Sequence, residues 1–104
     1  MSEQKLLSIC IPTFNRVDFL RYNLKSITDQ FEAEPALKDI VEIVISDNAS
    51  ADGTKEIVAS FVEKYSNITY HRNETNIGFD RNLNNAIKLA GGKYCFSLGD
   101  DDAL

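Results

Sequence analysis

An α/β fold, a parallel sheet covered by helices, is the architecture this 104-residue sequence predicts. Three observations carry that expectation. Four short apolar runs alternate with three stretches of helical periodicity, giving the order βαβαβαβ with right-handed crossovers. No internal repeat, low-complexity tract or linker interrupts the alternation. The polar clusters PTFNR, SDNASADG and GDDD follow the first, second and fourth runs, while the helical stretches carry ordinary apolar faces. Ligands of such sheets bind beyond the carboxyl ends of the strands, so this segregation of polarity points to a site there.

Taken in order, Leu6 to Ile11 is a nearly continuous apolar run that reads as a buried parallel strand. Pro12 cannot donate to a ladder and is expected to end it. Asn15 or Asp18 can cap the first helix, whose face is Leu20, Leu24, Ile27 and Phe31. Residues Glu32 to Pro35 break the pattern. The β-branched run Val41 to Ile45 is the second strand. A polar loop with Asp52-Gly53 as its turn signal leads to a second helix marked by Ile57, Phe61 and Tyr65, flanked by Val58 and Val62. Ile68 to His71 is a short third strand, followed by the loop HRNETNIG. The third helix shows Phe79, Leu83, Ala86, Ile87 and Ala90 as its apolar face and stops at Gly91-Gly92. Tyr94 to Leu98 is the fourth strand.

Composition narrows the function classes. Eleven Lys and Arg against sixteen Asp and Glu give a net charge of -5, which argues against a large nucleic-acid surface but leaves room for a local phosphate contact. At 43% hydrophobic the chain is not of the disordered class. Cys10 and Cys95, both in apolar runs, are expected to be buried reduced thiols of a reducing compartment. No apolar run reaches the eighteen or so residues of a spanning helix, and the first residues lack a cleavable signal pattern. The chain therefore reads as intracellular and soluble. An acidic run straight after a strand, with only Ala103 and Leu104 beyond it, reads as a domain cut short.

The candidate chemistry lies in the strand-end clusters. Asp100, Asp101 and Asp102 repel one another unless something positive neutralises them, and oxygen ligands of this kind suit Mg²⁺ or Mn²⁺; a solvated chain end is the bland alternative. Asp47 can accept from a nucleobase N–H or a ribose hydroxyl, or can make an Asx turn or helix cap. Asn48, Ser50 and Asp52 share that ambiguity, with a cap preferred for Asp52. Thr13 and Phe14 can hold and pack a base, or Phe14 can serve the core. Arg16 and Arg81 can each meet a phosphate, or fix a loop and make an exposed ion pair respectively. His71, the only histidine, reads as structural. No Cys-His pair or His cluster suggests zinc or thiol catalysis, and Gly91-Gly92 lacks the spacing of a phosphate-binding loop.

Together these segments resemble the N-terminal nucleotide-binding half of a family 2 glycosyltransferase of GT-A fold. IPTFNR resembles the family's opening strand and its P-T/V-Y/F-N motif. VISDNASADGT resembles the pattern VVDDGSTDGT, NIG with Asn84, Ala86 and GGKY resembles the stretch N-x-G…N…A-x-G-x-Y, and SLGDDD resembles the acidic DxD element. The match covers nearly the whole chain with its pieces in order. The resemblance implies a truncated Rossmann-like GT-A sheet in the order 3-2-1-4 and an inverting transfer of sugar from a nucleotide diphosphate sugar to a saccharide or lipid-linked acceptor. It implies that Thr13 and Phe14 line the nucleoside pocket, that Asp47 binds the base, that Asp102 is the best metal ligand with Asp100 an additional carboxylate, and that Asp101 approaches the ribose or sugar. The general base would lie beyond Leu104, so the 104 residues alone would be inert. Gly99, Asn48 and Leu83 stand where the commoner motifs have Asp, Asp and Arg, departures that resemble a bacterial branch acting on surface polysaccharide, including abequosyl-type transferases. Such a parent would be cytoplasmic, with peripheral attachment at the inner face of the plasma membrane compatible with it. A non-catalytic nucleotide-sugar-binding module and a related nucleotidyltransferase are the alternative readings; the latter needs a Gly- and Arg-rich loop after the first strand, and PTFNR has one Arg and no Gly.

Overall fold

Residues 4–98 are described by the computed structural model, in which a single four-stranded parallel sheet runs in the order β3-β2-β1-β4. The strands are β1 (Leu7–Thr13), β2 (Val41–Asp47), β3 (Ile68–Arg72) and β4 (Tyr94–Ser97). Helices α1 (Val17–Ala33), α3 (Thr54–Lys64) and α4 (Phe79–Leu89) connect them, and a single turn, α2 (Leu37–Ile40), precedes β2. That turn has no counterpart in the periodicity of the sequence, because four residues are too few to show one. The strand order expected from the resemblance is the order observed.

β1 and β2 are covered on both faces, and side chains alternating along them feed two different cores. Ile9, Ile11, Ile43 and Ile45 pack with Leu20, Leu24, Ile27 and Phe31 of α1 and Val58 of α3. All four of the expected α1 face residues are buried. On the opposite face Cys10 and Val44 meet Ala86 of α4, with Ala90 alongside. Small side chains there bring α4 close to the sheet.

Three expectations are corrected. β1 does not stop at Pro12 but runs on to Thr13, with Pro12 opposite Ser46 of β2. The Cys10 carbonyl accepts from Leu98 N at 2.9 Å, on the β4 side. By the two-residue alternation the Pro12 nitrogen also faces that side, where β4 has already ended, so the missing donor breaks no ladder bond to β2. The second correction is α4. Of the expected face Ala86 is buried with Ala90 packed beside it, but Phe79 and Ile87 are exposed and Asn82 is buried in their stead. Polar hydrogen bonding of Asn82, described below, overrides the apolar stripe. The third is Cys95, which is exposed because β4 is an edge strand whose four residues are all exposed; Cys10 is buried. Both thiols are free, as expected, and burial first, then the neighbouring Cys95, pushes the Cys10 thiol up to about 11.

The glycine pair after α4 has a steric reason. Gly91 N donates to Glu42 Oε2 at 2.6 Å and Gly92 N to Ser8 Oγ at 2.8 Å, while Ser8 Oγ donates to the same Glu42 carboxylate. A Cβ on Gly92 would lie 2.5 Å from Ser8 Oγ and 2.8 Å from Ser8 N. The turn into β4 thus presses directly on the amino end of β1.

Candidate functional site

The carboxyl ends of β1 and β2 are joined in register, Thr13 opposite Asp47, and the loops that follow them interlock. Asn48 N donates to Thr13 O at 2.9 Å. Asn15 N donates to Ser50 Oγ and Ala51 N returns a bond to Asn15 Oδ1, each at 2.8 Å. Val17 N, at the start of α1, donates to Asp52 Oδ2 at 3.0 Å. α1 is thereby capped from the neighbouring loop, with no cap from Asn15 or Asp18. The cap preferred for Asp52 is thus made to α1 and not to α3, whose N-cap is Gly53 without a side-chain cap; Asp52 also accepts from the Thr54 hydroxyl at 2.6 Å. Its small burial pushes its carboxyl up, but the Thr54 hydroxyl, the Val17 N–H and other backbone donors outweigh that and hold it below the ordinary 3.8. Two non-glycine residues of these loops, Asn15 (φ 50°) and Ala49 (φ 66°), take left-handed backbone. Asn tolerates that conformation; for Ala it costs on the order of 1 kcal/mol.

Asp47 is fully buried, and both of its oxygens are engaged. Ser50 N, three residues on, donates to Oδ1 at 2.9 Å, and the Tyr70 hydroxyl donates to Oδ2 at 2.5 Å. Burial, and then the bond to Asp47, push the Tyr70 phenol well above its usual range, so it stays protonated and donating. Arg72, at the end of β3, donates from Nη2 to Ser50 O at 2.8 Å and holds the same loop.

Behind Asp47 runs a chain of buried amides. Asn82 Nδ2 donates to Ser46 O and its Oδ1 accepts from Ser46 Oγ, at 2.8 and 2.7 Å. Asn73 Nδ2 donates to Asn82 Oδ1 and to Asn48 Oδ1, at 2.9 and 3.1 Å. Asn48 Nδ2 reaches Asn76 Oδ1 at 2.8 Å and Gly78 O at 3.3 Å, and Asn48 Oδ1 accepts from Ile77 N at 2.8 Å. The strand-end cluster of β2 is thus tied forward to β1 and backward to the loop that enters α4.

The structure brings Thr13 and Asp47 together, with Phe14 exposed next to Thr13. Arg16 is exposed, and its guanidinium lies 5.5 Å from the Phe19 ring centroid. Arg81 is exposed in the first turn of α4, and His71 is exposed near the end of β3. Asp100, Asp101 and Asp102 lie outside the described residues. Among the described residues no three of His, Cys, Asp and Glu cluster as metal ligands. Sequence reading missed Tyr70, Arg72, Asn73, Asn76 and Asn82. The available signal was density, five Asn between positions 73 and 85, but an Asn in a loop and one in a network look alike until the loop is folded.

The family model described as "Glycosyl transferase family 2" matches residues 8–104. The chain belongs to that family. It is 48% identical over 100 residues to an abequosyltransferase of Salmonella typhimurium, covering 95% of this chain and 29% of that protein. It is 37% identical to the GalNAc(5)-diNAcBac-PP-undecaprenol β-1,3-glucosyltransferase of Campylobacter jejuni, covering 94% of this chain and 30% of that protein. The family 2 chain thus spans under a third of these relatives' length. Among solved structures, residues 1–349 of S. aureus TarS in complex with UDP-GlcNAc superpose with a TM-score of 0.82 at 28% identity, covering 94% of this chain and 27% of TarS. A mannosyltransferase of Pyrobaculum calidifontis in complex with GDP-Man and Mn²⁺ gives a TM-score of 0.81 at 23% identity over 97% of this chain and 29% of that one, a likeness of fold alone. No described helix is long and apolar enough to cross a membrane.

Proposed function

We propose that these residues are the N-terminal nucleotide-sugar-binding half of an inverting, divalent-metal-dependent glycosyltransferase that moves a sugar onto an acceptor hydroxyl in surface polysaccharide or glycolipid synthesis. The observation that carries the reading is the interlocked, left-handed loop pair around Thr13 and Asp47 at the carboxyl ends of β1 and β2, on a chain of this family. The names of its relatives support the substrate class: an abequosyltransferase, an undecaprenol-linked glucosyltransferase, and a homologue in complex with UDP-GlcNAc.

On this reading Thr13 and Phe14 line the nucleoside pocket. Asp47 reads the base, whose N–H takes over the oxygen now held by the Tyr70 hydroxyl. Arg16 and Arg81, both exposed, approach the diphosphate, and Asp101 approaches the ribose or sugar. The donor set for a cation is three consecutive carboxylates, hard oxygen ligands that fit Mg²⁺ or Mn²⁺, with Asp102 the principal ligand and Asp100 supporting it. When bound, such an ion neutralises charge developing on the departing nucleoside diphosphate. No residue of this chain is assigned as the base that deprotonates the acceptor.

Calorimetry with UDP, dTDP, CDP and GDP, with and without Mn²⁺, tests the site. Asp102→Ala should abolish the metal-dependent part of binding. Asp47→Ala should blunt discrimination among bases and leave metal dependence intact. Unchanged nucleotide affinity in both variants would overturn the assignment.

A further inference from the structure

The buried amide chain behind Asp47 ends on the loop that enters α4, and the chemistry of one of its members is unusually specific. Asn48 uses the whole hydrogen-bonding capacity of its side chain: Oδ1 accepts from Asn73 Nδ2 and Ile77 N, and Nδ2 donates to Asn76 Oδ1 and Gly78 O. Its backbone N–H meanwhile donates to Thr13 O. One buried residue, directly after Asp47, therefore grips the end of β1 with its main chain and residues 76–78 with its side chain. Gly78 is the N-cap of α4, at φ 90° and ψ 159°, a conformation that is essentially glycine's own. Asn82 N donates to Gly78 O at 3.1 Å, the same carbonyl that Asn48 Nδ2 reaches, so the first turn of α4, with the exposed Arg81, is set by where Asn48 holds it.

We infer that Asn48 is a positioning residue for the diphosphate side of the site: it fixes the 76–78 loop, and through it Arg81, relative to Thr13 and Asp47. The inference rests on the nucleotide-binding reading above. It assigns the choice of amide over carboxylate at position 48 a chemical reason. An Asp there would keep the two acceptor contacts and turn the two donor contacts into oxygen–oxygen repulsions against Asn76 Oδ1 and Gly78 O, with no change of shape. Asn76 has the reverse requirement. Its Oδ1 only accepts, from Asn48 Nδ2 and Gly78 N, each at 2.8 Å, and the residue is exposed, so an Asp is chemically admissible at 76.

The test compares wild type, Asn48→Asp, Asn76→Asp, Asn76→Ala, Arg81→Ala and the Asn48→Asp/Arg81→Ala double variant, titrated by calorimetry with a nucleoside and with its diphosphate. Asn48→Asp and Arg81→Ala should each weaken the diphosphate about tenfold and leave the nucleoside within about twofold. The double variant should be no worse than Arg81→Ala alone, because both remove the same contact. Asn76→Asp should bind like wild type, and Asn76→Ala, an exposed change that spares folding, should lose diphosphate affinity in the same direction as Asn48→Asp. Equal losses for nucleoside and diphosphate, or additive losses in the double variant, would mean that Asn48 only supports the fold and would sink the inference while leaving the nucleotide site standing. If Asn48→Asp does not fold, the Asn76 pair decides alone: equal diphosphate affinity for Asn76→Ala and Asn76→Asp overturns the inference. Wild type that binds no nucleotide overturns the site and this inference together.

Discussion

Ala49 and Gly92 occupy opposite steric situations. Ala49 carries a Cβ where the backbone is left-handed, and Gly92 lacks one where the backbone of β1 leaves no room. Opposite substitutions should therefore shift stability in opposite directions. Ala49→Gly is expected to stabilise by about 0.5 kcal/mol, since relief of the left-handed cost exceeds the added freedom of the unfolded chain. Gly92→Ala is expected to destabilise by about 1–3 kcal/mol, because Ser8 N is backbone and cannot swing aside, and the Ser8–Glu42 clamp would have to part. Urea midpoints of the two variants check both, and a stabilised Gly92→Ala would refute the close approach. Residues 8, 42, 91 and 92 also show why GGKY is legible as a helix stop yet opaque in its contacts: the glycines announce a turn, but their partners lie more than 40 residues away in sequence.

Among the elements, α4 departs furthest from its sequence pattern. Phe79, Leu83, Ala86, Ile87 and Ala90 draw the expected apolar face, yet only its alanines meet the sheet, Asn82 is buried with them, and Phe79 and Ile87 are exposed. A hydrophobic period assumes that burial goes to the most apolar side chains. Here Ser46 at the end of β2 and Asn73 after β3 offer Asn82 three hydrogen bonds, and Ala86 packs fully buried against Cys10 and Val44. Ala86→Leu should accordingly overpack the sheet face and cost about 1–3 kcal/mol. Ile87→Gln, on the exposed side, should stay within about 0.5 kcal/mol. Thermal unfolding of the two variants reverses that ranking if the stripe, and not the asparagine, faces the sheet. α1 shows the contrasting case: its Leu20, Leu24, Ile27 and Phe31 face is buried as the period implies, with Asn23 and Thr28 buried beside it.

On the scale of the whole molecule the two sides of the sheet are unequal. One carries the large core under α1 and α3, the other the small one under α4, and β4 is an edge with Tyr94 59% and Phe96 46% exposed. Ile87 and Leu89 of α4 are exposed as well. An unpaired edge flanked by apolar side chains is a template for association. The chain is expected to self-associate as its concentration rises, and Phe96→Glu, which adds charge to the edge, should shift the series toward monomer. Light scattering across a concentration range decides this; a strictly monomeric wild type at high concentration would remove the expectation.

Alternation of apolar runs and helical repeats was enough to determine the α/β class and the succession of strands and main helices, because burial of one face imposes its period on the residues locally. The strand-end clusters were equally legible, and with the family pattern they pointed to Thr13, Asp47 and the parallel order of the sheet. Only tertiary structure decided that β1 passes through Pro12, that Tyr70 holds Asp47, that Asn48 joins β1 to the entry of α4, and that Cys95 lies in the open. Each depends on a partner distant in sequence or on which strand happens to be an edge. Hydrophobic period is written into neighbouring residues, whereas a hydrogen bond between loops exists only once the chain between them has folded.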